Sequence, residues 1–233
     1  MSDGRREDLA GRSVLIAGAS GGIGSAIARR LHAAGANLTL VSRDLDRLRA
    51  VGVPARLQPL DLRDPEQAGR AVEVAHDHAG RLDIVVNAVG VVAFGSVSEL
   101  SVDAMEELFL TNTFVPIFLA KAALEVMEER GAIVNISGVI AERNLPGMAA
   151  YGASKAAVRS FDEALAREAR RNKIRVIDAR PPHTATALSE HPIEGTAPRM
   201  PQGLAADVVA AVICEALADG ATALPSTSFE AGR

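Results

Sequence analysis

Cysteine occurs once in this chain, at Cys214, tryptophan not at all, and tyrosine once, at Tyr151. The lone cysteine excludes an intramolecular disulfide framework and, set among apolar helical residues, reads as a small core side chain. Charge of one sign is scarce too: 25 Lys and Arg against 29 Asp and Glu leave a net −4, which gives nucleic acid no electrostatic footprint. No apolar run approaches the ~18 residues that suggest a membrane span. Met1–Gly11 is polar and charged, without the apolar heart of a signal peptide. His76 and His78 lie two apart on a helical pattern and cannot share a face, so no metal is expected. These absences predict a cytoplasmic protein whose partner is a small molecule, with no nucleic acid and no membrane.

The chain has 233 residues, 48% hydrophobic and 23% charged, enough for one well-covered core and short for two enzyme domains. One domain over residues 1–233 is expected. Its organising stretch is Ser13-Val-Leu-Ile-Ala-Gly-Ala-Ser-Gly-Gly-Ile-Gly24, an apolar strand that runs through a glycine cluster into a helical pattern. Gly18, Gly22 and Gly24 fit the three needs of a phosphate-binding turn: a tight bend, a backbone able to approach a pyrophosphate, and close packing of helix on sheet. Ile23, Ile27 and Leu31 recur at helical spacing, which puts the amides near Gly22 and Gly24 at a helix N-terminus facing the ligand's charge.

Strand-like and helix-like segments alternate along the rest, predicting an α/β fold: a doubly wound parallel sheet of about seven strands with helices on both faces. Strands are read at Asn37–Val41, around Arg56–Leu60, at Leu82–Val86, Ala132–Ile136 and Ile174–Asp178, with a short last one near Thr222–Leu224. Asp64-Pro65-Glu66-Gln67 signals a helix start, with a capping carboxylate, proline at the first position and a capping-box glutamine. Two helical segments span Ser101 to about Arg130, with Asn112 near the middle, and a long helix bears Tyr151 and Lys155. Pro181 and Pro182 interrupt regular structure, and residues 183–203 read as a mobile loop over the site.

The Gly18/Gly22/Gly24 turn, Asp61, Asn87 with Gly90, Asn112, and Tyr151-Gly-Ala-Ser-Lys155 together resemble the short-chain dehydrogenase/reductase family, from about Gly11 to Thr186. The resemblance implies a Rossmann-type sheet, interconversion of a carbonyl and an alcohol with a nicotinamide cofactor, and a homodimer or homotetramer built through the long helices. It also implies a cofactor held by Gly18, Ser20, Gly22, Ile23 and Gly24, by Ser42 and Arg43, by Asp61 and Leu62, by Asn87 and Gly90, by Tyr151 and Lys155, and by Pro181 and Thr186. Tyr151 would be the acid or base, Lys155 would hold the nicotinamide ribose, and Asn112 would hold a water in the proton relay. Residues four apart share a helix face, so the ammonium of Lys155 is expected to favour the phenolate of Tyr151.

Three departures stand out. The family's active-site serine lies thirteen residues before the tyrosine, and that position is Gly138, with Ser137 one residue early. Strand residues alternate faces, so a one-residue offset aims Ser137 away from Tyr151 unless a bulge or strand end re-aims it. Either it is re-aimed, or another donor replaces it, or the chain is a weakened nucleotide-binding scaffold or sensor. Ala88 stands where the family often has asparagine, and Pro182 where it has glycine. For the cofactor, Ser42 occupies the position of the acid in NAD-using members, and Arg43 that of the arginine in NADP-using ones. This points to NADP rather than NAD, with Asp44 starting the next helix instead.

Overall fold

The computed structural model describes residues 7–232, so Met1–Arg6 of the charged N-terminal stretch lies outside the described residues. Six parallel strands form the central sheet: β1 (Ser13–Ala17), β2 (Asn37–Ser42), β3 (Arg56–Pro59), β4 (Ile84–Asn87), β5 (Ala132–Ile136) and β6 (Arg175–Ala179). Their order is β3-β2-β1-β4-β5-β6, so the winding reverses between β1 and β4. The expected strand at 222–224 survives as one parallel bridge from Ala179 to Leu224 at the outer edge of β6.

Covered on both faces, the central strands are near-continuously apolar. Val14 and Ile16 face α1 (Gly22–Ala33), where Ile27 and Leu31 are fully buried, each contributing about 1.5–3 kcal/mol. Val209, Ile213 and Leu217 of α7 (Ala206–Ala218) complete that layer. Leu15 and Ala17 point to the other face, against α3 (Pro65–Ala79), α5 (Val115–Val126) and α6 (Ala149–Glu168). Asp44 caps the short α2 (Leu45–Arg49), accepting from Asp46 N at 2.9 Å and Arg47 N at 3.0 Å.

The segment after Ser101 is α4 (Val102–Phe109), a π turn over Leu110–Phe114, and then α5 without a break. It ends at Val126 rather than near Arg130. The expectation that no apolar run nears a membrane span needs amendment. One 18-residue window within Val102–Val126 reaches a mean hydropathy of 1.3, because its Leu, Val, Ile and Phe residues outweigh Asn112 and the few charges, and 44% of that window is buried. The buried face of this helix packs on α3 and α6, and Phe114, 47% exposed, stacks on Phe118.

The loop over 183–203 is fastened rather than loose. Its ends pair as two short strands, β7 (Thr184–Ala185) and β8 (Leu204–Ala205). Midway, Ile193 N donates to Val92 O at 2.8 Å, and Phe94 N donates to Glu194 O at 3.0 Å. The Glu194 carboxylate also accepts from Ser101 N at 2.8 Å and from the Ser101 hydroxyl.

Candidate active site

A cleft of about 380 Å3 opens where the strand order reverses, beyond the carboxyl ends of β1 and β4, the place where open α/β sheets take their ligands. Of the residues expected at a dinucleotide, Gly18, Ser20, Ser42, Arg43, Asp61, Leu62 and Gly90 line it. Gly18 has φ +72°, and a Cβ there would lie 2.7 Å from the Ala88 carbonyl, so the turn requires glycine. A Cβ at Gly24 would lie 2.3 Å from Gly18 O, which is the close helix packing expected of that position. Gly21 caps α1 without a side-chain acceptor, leaving the first amides of the helix free for an anion.

Other expected residues act from outside the cleft. Gly22 abuts Thr186, whose Cγ2 would meet a Cβ at 2.6 Å, so the chain just after β7 rests on the glycine turn. Asn87 is buried and shapes the turn after β4, its Oδ1 accepting from Val89 N at 3.1 Å. Ile23 packs into the layer beneath α1, and Pro181 O accepts from Val139 N at 2.9 Å.

Arg47, Arg63 and Glu107 line the same cleft and were not singled out from sequence. Arg63 grips Asp61 through Nε at 3.0 Å and Glu107 through Nη1 at 2.9 Å, and this guanidinium holds the Asp61 carboxyl below its usual range. Arg47, in α2, donates from Nη2 to Ser20 O at 3.4 Å. The capping-box glutamine reaches further than expected. Gln67 Nε2 donates to the Asp64 carboxylate at 3.0 Å while its Oε1 accepts from Asp61 N at 2.9 Å, tying the helix start to the cleft wall.

Gly90, Asn112 and Lys155 converge. A Cβ at Gly90 would lie 3.4 Å from both Asn112 Oδ1 and Lys155 Nζ. Asn112 sits in the π turn, which opens the helical hydrogen-bond ladder by one residue at a place where such bulges often mark function. Its side chain is fully engaged: Oδ1 accepts from Val91 N at 2.9 Å, and Nδ2 donates to Val91 O and to Ser154 Oγ, each at 3.0 Å. Lys155 Nζ donates to Ile136 O at 2.9 Å.

Desolvation opposes the expected phenolate. Burial pushes the Tyr151 phenol up to about 12, and the charge of Lys155 does not offset it. The shared helix face does not decide the matter, because the lysine is drawn to the Ile136 carbonyl at the end of β5. Lys155 itself is brought down to about 8 by burial, with the negative charge of Asp178 working against that shift. Tyr151, half-buried, packs among Val92, Phe94, Ile140 and Met148, a cluster joined by Ala197 and Met200 from the fastened loop.

Ser137 is not re-aimed. Its hydroxyl, 1% exposed, donates to the Asp178 carboxylate on β6 rather than being presented to Tyr151. Gly138 follows at φ +89°, open on the side where a Cβ would point, with only Pro181 O at 3.8 Å. Among the described residues no group of His, Cys, Asp and Glu is placed to hold a metal ion.

A family model described as short chain dehydrogenase matches residues 12–195. A dehydrogenase/reductase SDR family protein 7-like from Anopheles gambiae is 34% identical over 81% of this chain, and the match spans 64% of that relative's length. A short chain dehydrogenase from Burkholderia cenocepacia, solved in complex with NADP, superposes with a TM-score of 0.84 at 29% identity, covering 95% of this chain and 99% of that one. A Burkholderia phymatum enzyme solved with NAD shares the fold at 23% identity and a TM-score of 0.82, covering 94% of this chain and 90% of that one.

Proposed function

The chain belongs to the short-chain dehydrogenase/reductase family, and from that premise we propose that it reduces apolar carbonyl compounds with NADPH, Tyr151 supplying the proton. The observation that carries this reading is the convergence of Gly90, Asn112 and Lys155 at the inner end of the cleft. The residues present fit a dinucleotide: a glycine turn closed to any side chain, uncapped helix amides for a pyrophosphate, and arginines at the far end. Bound there, the cofactor supplies hydride to a carbonyl carbon. Arg43 and Arg47 would flank a 2′-phosphate, and Asp44 does not compete for a ribose because its carboxylate is engaged at the α2 cap.

A phenol held near 12 stays protonated at neutral pH and so carries the proton that the carbonyl oxygen takes up, with its acidity still to be brought toward the working pH by Lys155 and the bound cofactor. Lys155, near 8, stands beside Gly90, where its charge varies over the working pH range. Val92, Phe94, Met148 and Met200 surround Tyr151 with apolar side chains, hence the substrate class.

One experiment tests chemistry and cofactor together: NADPH and NADH consumption over a panel of apolar aldehydes and ketones, with Tyr151→Phe and Arg43→Ala alongside. Tyr151→Phe is expected to abolish turnover while still binding NADPH. Arg43→Ala is expected to weaken NADPH by about tenfold, roughly 1.4 kcal/mol, and leave NADH unchanged. The engagement of Ser137 by Asp178 favours a second reading, a nucleotide-binding scaffold or sensor. Tight NADPH binding with no turnover anywhere on the panel would select it.

A further inference from the structure

Beyond the dinucleotide cleft lies a larger groove, about 600 Å3, between α6 and the outer edge of β6. That edge is open because, among the described residues, its only outer neighbour is the single bridge at Leu224. Six cations line the groove, Arg159, Arg167, Arg170, Lys173, Arg175 and Arg180, against three carboxylates, Asp162, Glu163 and Asp178, in a chain whose net charge is −4. Four of them have carboxylate partners: Arg159 with Glu163, Lys173 with Glu129, Arg175 with Glu7, and Arg180 with Glu142. Arg167 and Arg170 form no ion pair with any described residue, and both are exposed, Arg167 in the last turn of α6 and Arg170 in the 3-10 turn, Ala169–Asn172, that follows it.

The groove's base carries unsatisfied polar atoms. Asp162, 2% exposed, accepts from Asn135 Nδ2 at 2.6 Å through Oδ1, while its Oδ2 has no partner. Arg180 Nε lies 3.2 Å from Asp178 Oδ2 but is not aligned for a hydrogen bond. Buried polar groups are otherwise almost always satisfied, so an orphan at the base of a charged groove calls for a ligand atom. Burial pushes the Asp162 carboxyl up to about 8, so at neutral pH it keeps its proton and meets an anion as a donor.

We propose that this groove is a second ligand site for a phosphorylated small molecule, gripped by Arg167 and Arg170 at the C-terminal end of α6 and the turn after it, and seated over Asp162 and Arg180. Its volume matches sites for small molecules rather than single ions, and guanidinium forks suit phosphate oxygens in bidentate fashion. The groove is lined by the C-terminal half of α6, whereas Lys155, which faces Gly90, lies in the N-terminal half, and the proposal does not rest on the reading of the catalytic cleft.

The test is calorimetric titration of the whole protein with inorganic pyrophosphate at constant ionic strength, with NADP saturating so that the dinucleotide cleft cannot answer for the groove. The parent is expected to bind saturably. Arg167→Ala/Arg170→Ala is expected to weaken binding at least tenfold, and Arg167→Lys/Arg170→Lys, which keeps the charge and loses the fork, by less. Both positions are exposed, and unchanged thermal midpoints check that the variants fold. Binding that is absent, that is equal in parent and double-alanine variant, or that responds to Arg43→Ala instead would overturn the proposal.

Discussion

At the scale of single residues, Gly138 decides most. The one-residue offset of Ser137 was legible from strand alternation alone, and the structure shows where that hydroxyl goes, to Asp178. What alternation could not supply is the backbone of Gly138, whose φ of +89° a side chain tolerates poorly although space is open beside it. Gly138→Ser is therefore expected to lose about 1–3 kcal/mol of stability. If the new hydroxyl reaches the substrate carbonyl, turnover should nevertheless rise by about tenfold or more. Gly138→Ala carries the same strain without the donor. Equal turnover in the serine and alanine variants would mean that the carbonyl is polarised from elsewhere. Tyr151 teaches the opposite lesson: spacing placed it beside Lys155, and burial reversed the shift that spacing suggested.

At the scale of elements, most starts were legible because caps are local. Asp44 and Asp64 both accept from the amides expected of them. The π turn at Asn112 was not, since one extra residue within a helix barely disturbs its periodicity. Nor was the clasp at Ser101, which caps α4 through Ala104 N at 3.1 Å while its own amide and hydroxyl are held by Glu194, 93 residues along. A capping box draws its carboxylate from the same helix, whereas here the loop over Tyr151 supplies it. Glu194→Ala is expected to speed amide exchange across 187–200 and to raise KM for the carbonyl substrate with little change in kcat. Unaltered exchange at Ile193 and Phe94, whose amides tie the loop down, would show that the carboxylate does not hold it.

At the scale of the molecule, pairing register brings Asn87, Asn135 and Asp178 into one row across β4, β5 and β6. Asn87 Nδ2 donates to Asn135, Asn135 donates to Asp162 from α6, and Asp178 accepts from Ser137, a polar seam within an otherwise apolar face. Asp162 is raised from 3.8 to about 8, and Asp178 is raised as well, both chiefly by burial. The folded state thus holds protons that the unfolded chain has released. The stability this gives is complete below the unfolded value and is lost as pH climbs through the folded one. Asp162→Asn keeps an acceptor for Asn135 and is expected to raise the melting temperature at about pH 8.5 while changing it little at about pH 4.5. A gain of equal size at both would place the origin of the pH dependence elsewhere. The sequence by itself determined the order of strands and helices, the glycine turn, the caps and the family, because each depends on neighbours within a few residues and on repeating backbone hydrogen bonds. Only the tertiary structure decided the ionisation of Tyr151 and Asp162, the engagement of Ser137, the clasp of the loop and the basic groove. Desolvation and side-chain partnership are set by which distant segments share a face, and residues scattered between Arg159 and Arg180 become a charged site only when α6 lies against the edge of β6.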